Sequence, residues 1–206
     1  MTRKRLFIIS FIVLLLAVSS SLYASATDKD TGASEQKRLI TMAGDIEISE
    51  SEFEFYKANI KLINQLNEAE GNFSFQTGIP SDQELVDEML KKRLSVQYAR
   101  NSGITVDEDE IIEVVNREKS ILNSSNLDIE NQALIQEIMK QRIKLTGLSE
   151  EDFWKSDFVQ KEYESVLYID KLFKDLIEKE EISNIQDFEK FQIHLLEQYK
   201  DTFGEH

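Results

Sequence analysis

The side chains able to do bond-making chemistry are few in this chain of 206 residues: two histidines, His194 and His206, and no cysteine. A serine or cysteine nucleophile needs a base and an orienting group within hydrogen-bond reach. His194 lies beside Leu195 on an amphipathic stretch, which reads as an interfacial structural histidine, and His206 is the last residue. Zinc would want clustered Cys and His ligands. The seven glycines are scattered and form neither GxGxxG nor GxxxxGK, so no phosphate loop is encoded. The acidic run Asp107-Glu-Asp-Glu110 lacks the alternating spacing of a calcium loop and suits a helix start, where negative side chains meet the positive end of the dipole. No catalytic residue, metal ligand or cofactor site is therefore expected, and the chain reads as a non-enzyme.

What is left is apolar contact. Phe73 and Phe75 sit in Gly71-Asn-Phe-Ser-Phe-Gln-Thr-Gly-Ile-Pro80, a segment holding the only proline and two of the glycines. They can form a lid or exposed contact surface, or fold back as a plug over the first two helices, the reading favoured by the rarity of exposed contiguous apolar patches. Tyr56, Tyr98 and Trp154 lie on helical stripes and can be contacts or core. These five aromatic residues are the candidate contact residues.

The elements that would position them follow from periodicity. Residues 1–26 read as a secretory signal: Arg3-Lys-Arg5, a 13-residue run from Leu6 to Val18, and Ala24-Ser-Ala26. The run is shorter than the ~18 residues that usually span a bilayer, so cleavage is expected, and an uncleaved signal would be the only membrane tether. Residues 27–38 are polar and aperiodic, a flexible spacer. Without residues 1–26 the chain keeps 21 basic against 39 acidic residues, a net −18. That balance repels nucleic acid and anionic lipid and favours basic or apolar partners. With no disulfide available, apolar burial must hold the fold, and 41% hydrophobic residues with 12 phenylalanines can supply it.

Residues 39–206 form one domain. Alternation around Gly44-Asp45 predicts a small β element, and Ser49 with Glu52 is a capping box opening a first helix to about Asn67. A second helix starts at Ser81 or Asp82 and stops at Asn101-Ser-Gly103; a third starts at Asp107; a fourth runs from about Ile129 to Leu145. Gly147 ends that one, Ser149 with Asp152 caps the next, and no glycine or proline interrupts Phe153 to Lys179, the longest helix predicted. A break at Ile182-Ser-Asn184 precedes a last helix with Phe188, Phe191, Leu195 and Tyr199. The fold class is mainly α, five to six helices with an N-terminal β element.

Three segments, Leu39 to Phe53, Leu85 to Ile111, and Gly147-Leu-Ser-Glu-Glu-Asp-Phe153, together resemble the N-terminal peptide-binding domain of the SurA and PrsA class of extracytoplasmic chaperones, related in shape to trigger factor's chaperone part. Members often carry a parvulin-type prolyl isomerase domain, and no stretch here could be one; the 26 residues after 180 are too few. The resemblance implies an ATP-independent exported module that binds unfolded or extended segments of other exported proteins. The alternative is a non-catalytic envelope protein using the same scaffold for one folded partner.

Overall fold

The structure, a computed structural model, describes residues 39–43, 46–70, 80–124 and 132–203. The expected signal, the spacer, the loop carrying Phe73 and Phe75, and His206 lie outside the described residues.

Strands β1 (Leu39–Ala43) and β2 (Ile46–Ser49) pair antiparallel, with Thr41 opposite Ile48 and Ala43 opposite Ile46. Ile46 and Ile48 face the core and Glu47 faces solvent, the period of two that the sequence shows. Helix α1 (Glu50–Glu70) begins directly after β2. The Ser49 N–H donates to Glu52 Oε2 at 2.7 Å and the Glu52 N–H donates to Ser49 Oγ at 3.3 Å, so the two ends of the expected capping box meet. Helix α2 (Asp82–Asn101) uses the same device with Ser81 and Glu84. It stops where Gly103 takes φ +82°, which lets the Gly103 and Ile104 N–H groups donate to the carbonyls of Arg100 and Ala99.

Helix α3 (Glu108–Asn123) starts at Asp107, whose N–H donates to Glu110 Oε2 at 2.9 Å. Helix α4 (Gln132–Thr146) ends at Gly147, φ +68°. The single long helix expected from Phe153 to Lys179 is two: α5 (Glu150–Lys155) and α6 (Asp157–Glu178). Ser156 divides them. Its backbone is extended, φ −70° and ψ 143°, and its Oγ accepts from the Val159 N–H, so it closes α5 and caps α6. Among the described residues there are seven helices, the division at Ser156 adding one. A left-handed Glu180, φ 58°, ends α6, and Asn184 Oδ1 accepts from the Asp187 N–H at 3.0 Å to open α7 (Ile185–Phe203).

The core falls into three adjoining clusters. The hairpin, α1, α2 and α7 enclose Ile48, Phe53, Leu85, Met89 and Leu196. Helices α1, α3, α4, α5 and α6 enclose Phe55, Val115, Met139, Phe158 and Val166. Helices α2, α6 and α7 share Ala99, Leu172, Leu176 and Phe188. Helix α6 thus joins two clusters, and its stripe of Phe158, Val159, Tyr163, Val166, Ile169, Leu172 and Leu176 is buried from end to end. Helix α7 runs antiparallel to α2: Phe191 meets Tyr98, Gln192 Nε2 donates to Ser95 Oγ at 3.0 Å, and Lys200 Nζ donates to Asp87 at 2.7 Å. The fold is mainly helical with a small N-terminal β element, as the periodicity requires.

Candidate functional site

The described aromatic candidates separate by depth. Tyr56 is a core residue, 3% exposed, packed with Ile48, Phe53 and Met89, and the Lys92 ammonium stands 4.9 Å from its ring centre. Trp154, also 3% exposed, lies edge-on to Phe153 with ring centres 5.2 Å apart. Of the two readings open for them, contact or core, both side chains are in the core: each occupies an inward position of an amphipathic helix whose partners close over it. Tyr98 is the one described candidate at the surface, 36% exposed, its ring edge-on to Phe191 at 5.1 Å across the α2–α7 seam. The structure does not bring Tyr98 together with Tyr56 or Trp154: the three belong to different clusters or their margins. His194 is exposed on α7, its Nε2 3.0 Å from Gln198 Nε2, a local pairing one turn along the helix.

The polar feature that sequence reasoning missed is internal. Arg142 on α4 and Glu162 on α6 form an ion pair with side chains 2% and 3% exposed. Glu162 Oε1 is buried without a hydrogen-bond partner, and so is the Nζ of Lys92 on α2, whose stem reaches the surface. Glu118 on α3 is a further buried carboxyl, 6% exposed, 3.8 Å from Arg117 Nε. Burying a charge costs several kcal/mol unless it is well paired, so ionisation shifts toward the neutral forms. Burial pushes Glu118 up to about 7 against the pull of Arg117. Burial likewise raises Glu162 to about 6, with Arg142 and then Lys92 opposing. Burial lowers Lys92 to about 7, the charges of Glu88 and Glu162 opposing it. Tyr163, between these groups, is raised well above the ordinary phenol value by burial and by Glu118.

A signal for these residues is present in the sequence. Val114-Val115-x-x-Glu118, Ile138-Met139-x-x-Arg142 and Phe158-Val159-x-x-Glu162 each put a charge where the apolar stripe calls for an inward residue. Reading the stripes as apolar residues alone passes over them. Lys92, next to Lys91, carries no such mark.

Chemically, the arrangement is a buried ion pair with further buried ionisable groups on the adjoining helices. It holds no nucleophile with an oriented base, and among the described residues no group of three or more His, Cys, Asp or Glu side chains is placed to hold a metal ion. No helix among the described residues is long and apolar enough to cross a membrane. Among the described residues, five large hydrophobic side chains are exposed, Tyr98, Ile112, Ile185, Ile193 and Phe203, on α2, α3 and α7. No protein-family model, curated protein or solved structure matches the chain.

Proposed function

We propose that the chain is an exported, non-catalytic, chaperone-like module that binds unfolded or extended segments of other exported proteins without ATP. One observation carries the reading: the three segments that resemble the SurA and PrsA peptide-binding domain occur in that family's order, and each supplies the turn or cap chemistry described for it. The hairpin leads into the Ser49-capped α1, Gly103 leads into the Asp107-capped α3, and Gly147 leads into the Ser149-capped α5. Tyr98 at the α2–α7 seam supplies an aromatic contact, Phe73 and Phe75 supply two more from the loop sequence, and the acidic surface attracts basic segments and keeps the complex soluble.

The test is suppression of aggregation of a chemically denatured client by protein lacking residues 1–26. Light scattering should fall with added protein at near-stoichiometric ratio. Unchanged scattering at molar excess refutes the reading.

A second reading has its own support. Tyr56 and Trp154 are core residues, and the exposed hydrophobic residues are spread over three helices, which suits an envelope interaction protein that recognises one folded partner. Recovery of a single partner at high affinity, with no retention of unfolded peptides, would select it.

A further inference from the structure

Helices α2 and α6 finish, and α7 begins, at one end of the fold, where α6 and α7 each pack against α2. Aromatic rings bridge the three helices there. Phe173 of α6 meets Phe188 of α7 with ring centres 5.4 Å apart, Phe188 stacks on Phe191 at 6.0 Å, and Phe191 meets Tyr98 of α2 at 5.1 Å. We propose that this end is a docking surface for a polypeptide segment in which one or two large apolar side chains are flanked by lysine or arginine.

The apolar row is continuous and only partly covered. Phe188 is buried, whereas Phe173, Ile177 and Phe191 are half-buried at the margin of its cluster. Tyr98 is 36% exposed and Ile185 51%. Ile177 follows Phe173 by one turn of α6, and Ile185 precedes Phe188 by about one turn of α7, so each shares a face with its phenylalanine. Both isoleucines therefore lie on the turn side of the Phe173–Phe188 contact and carry the row on to the α6–α7 connection.

The charge around this row is one-sided. Lys174, Lys179 and Lys190 are engaged with Asp170, Asp175 and Asp187 at 2.6, 2.7 and 3.1 Å, and Arg100 with Glu164 at 3.0 Å. Glu178, Glu180, Glu181 and Glu189 are exposed, and none of the four forms an ion pair among the described residues. From Asp170 to Lys190 the chain has seven acidic residues against four basic ones, an excess of three carboxylates. An apolar strip with such a rim fits a segment with an apolar anchor and cationic flanks: burial supplies the contact, and the rim charge supplies steering and register. A second copy of this chain would bring like charge to the same surface, and the net −15 of the whole chain adds to that repulsion. The surface suits a segment of a folded partner as well as one of an unfolded chain, so the inference goes beyond the chaperone reading.

Fluorescence anisotropy of the full chain with three labelled synthetic peptides of equal length tests it. The first peptide intersperses Phe and Leu with Lys, the second replaces Phe and Leu by Ser, and the third replaces Lys by Glu. The first should bind, and the other two should bind at least about tenfold more weakly. Ile185→Ser should weaken the first peptide about fivefold through lost apolar area. The double reversal Glu181→Lys/Glu189→Lys should weaken it about tenfold at ~0.05 M salt, with the loss fading toward ~0.5 M as exposed charges are screened. The same reversal at Glu54 and Glu113, exposed on α1 and α3, should leave affinity within about twofold. Circular dichroism confirms that each surface variant keeps its helices. Equal affinity for the three peptides, or a reversal at Glu181 and Glu189 no more effective than one at Glu54 and Glu113, would overturn the proposal. Self-association of the full chain in sedimentation that Ile185→Ser abolishes would overturn it in favour of contact between copies. Peptide binding at this end without suppression of client aggregation would uphold the proposal and refute client holding alone.

Discussion

Replacing Arg142 by Met tests the buried pair directly. The side chain is 2% exposed, its partner Glu162 is 3% exposed, and the helices that carry them contribute Met139, Ile143, Val159, Tyr163 and Val166 to one buried cluster. Arg142→Met leaves an unpaired carboxylate in that environment, which typically costs about 3–5 kcal/mol. Domains of this size have about 5–15 kcal/mol in total, so a third or more of the stability goes. At roughly 2–4 °C per kcal/mol for a chain of 150–250 residues, the melting temperature should fall by about 6–20 °C. The double variant Arg142→Met/Glu162→Leu should recover most of this, because removing both charges removes the desolvation cost along with the attraction. A pH signature separates the charge effect from lost packing. Without Arg142, the Glu162 carboxyl rises further above its ordinary value, so the variant should regain stability as pH falls toward 5. Urea unfolding followed by circular dichroism at pH 8 and pH 5 measures all three quantities. A single variant within about 1 kcal/mol of the parent, or a double variant less stable than the single one, would refute the account of the pair.

Leu172→Ala should cost about 2–5 kcal/mol, since the side chain is fully buried among Ala99, Ile169, Leu176 and Phe188 and its loss leaves a cavity; urea midpoints measure it. Ser156→Ala removes the cap at the α5–α6 break and should cost about 1 kcal/mol, read from the same unfolding curves. Gly103→Ala meets no atom within 4 Å, so any loss comes from its left-handed backbone alone, about 1–2 kcal/mol by thermal melting. Tyr98→Ser should leave the melting temperature within a few degrees while weakening client protection in the aggregation assay, because the ring is at the surface.

The pH profile of the whole protein adds a counter-current. Glu84 and Glu110 are lowered by hydrogen bonds at their caps, and Glu151 and Asp187 by their lysine partners, so their contributions are lost as pH falls through their folded values. All four are near the surface, where such terms are small.

Local chemistry was legible in the residues. Ser49, Ser81, Asp107 and Ser149 with their partners three positions on, and Gly103 and Gly147 after the last turn, locate helix ends because capping is settled within one turn of chain. The 3.6-residue stripes located the buried faces for the same reason. Ser156 escaped notice because a serine inside an apolar period becomes a cap only when packing bends the chain there; its extended backbone, with Phe153, Trp154 and Phe158 buried on both sides, shows that bend.

By itself the sequence determined a mainly helical chain with an N-terminal β element and a strongly acidic character. The tertiary structure decided depth: that Tyr56 and Trp154 lie inside, that Tyr98 remains at a seam, and that Lys92, Glu118, Arg142 and Glu162 are drawn into the interior. The reason is one of range. Caps and periods depend on residues a few positions apart, whereas burial and the electrostatics it creates depend on which faces of α1, α2, α3, α4 and α6 come together, with Arg142 and Glu162 20 positions apart and Lys92 farther still.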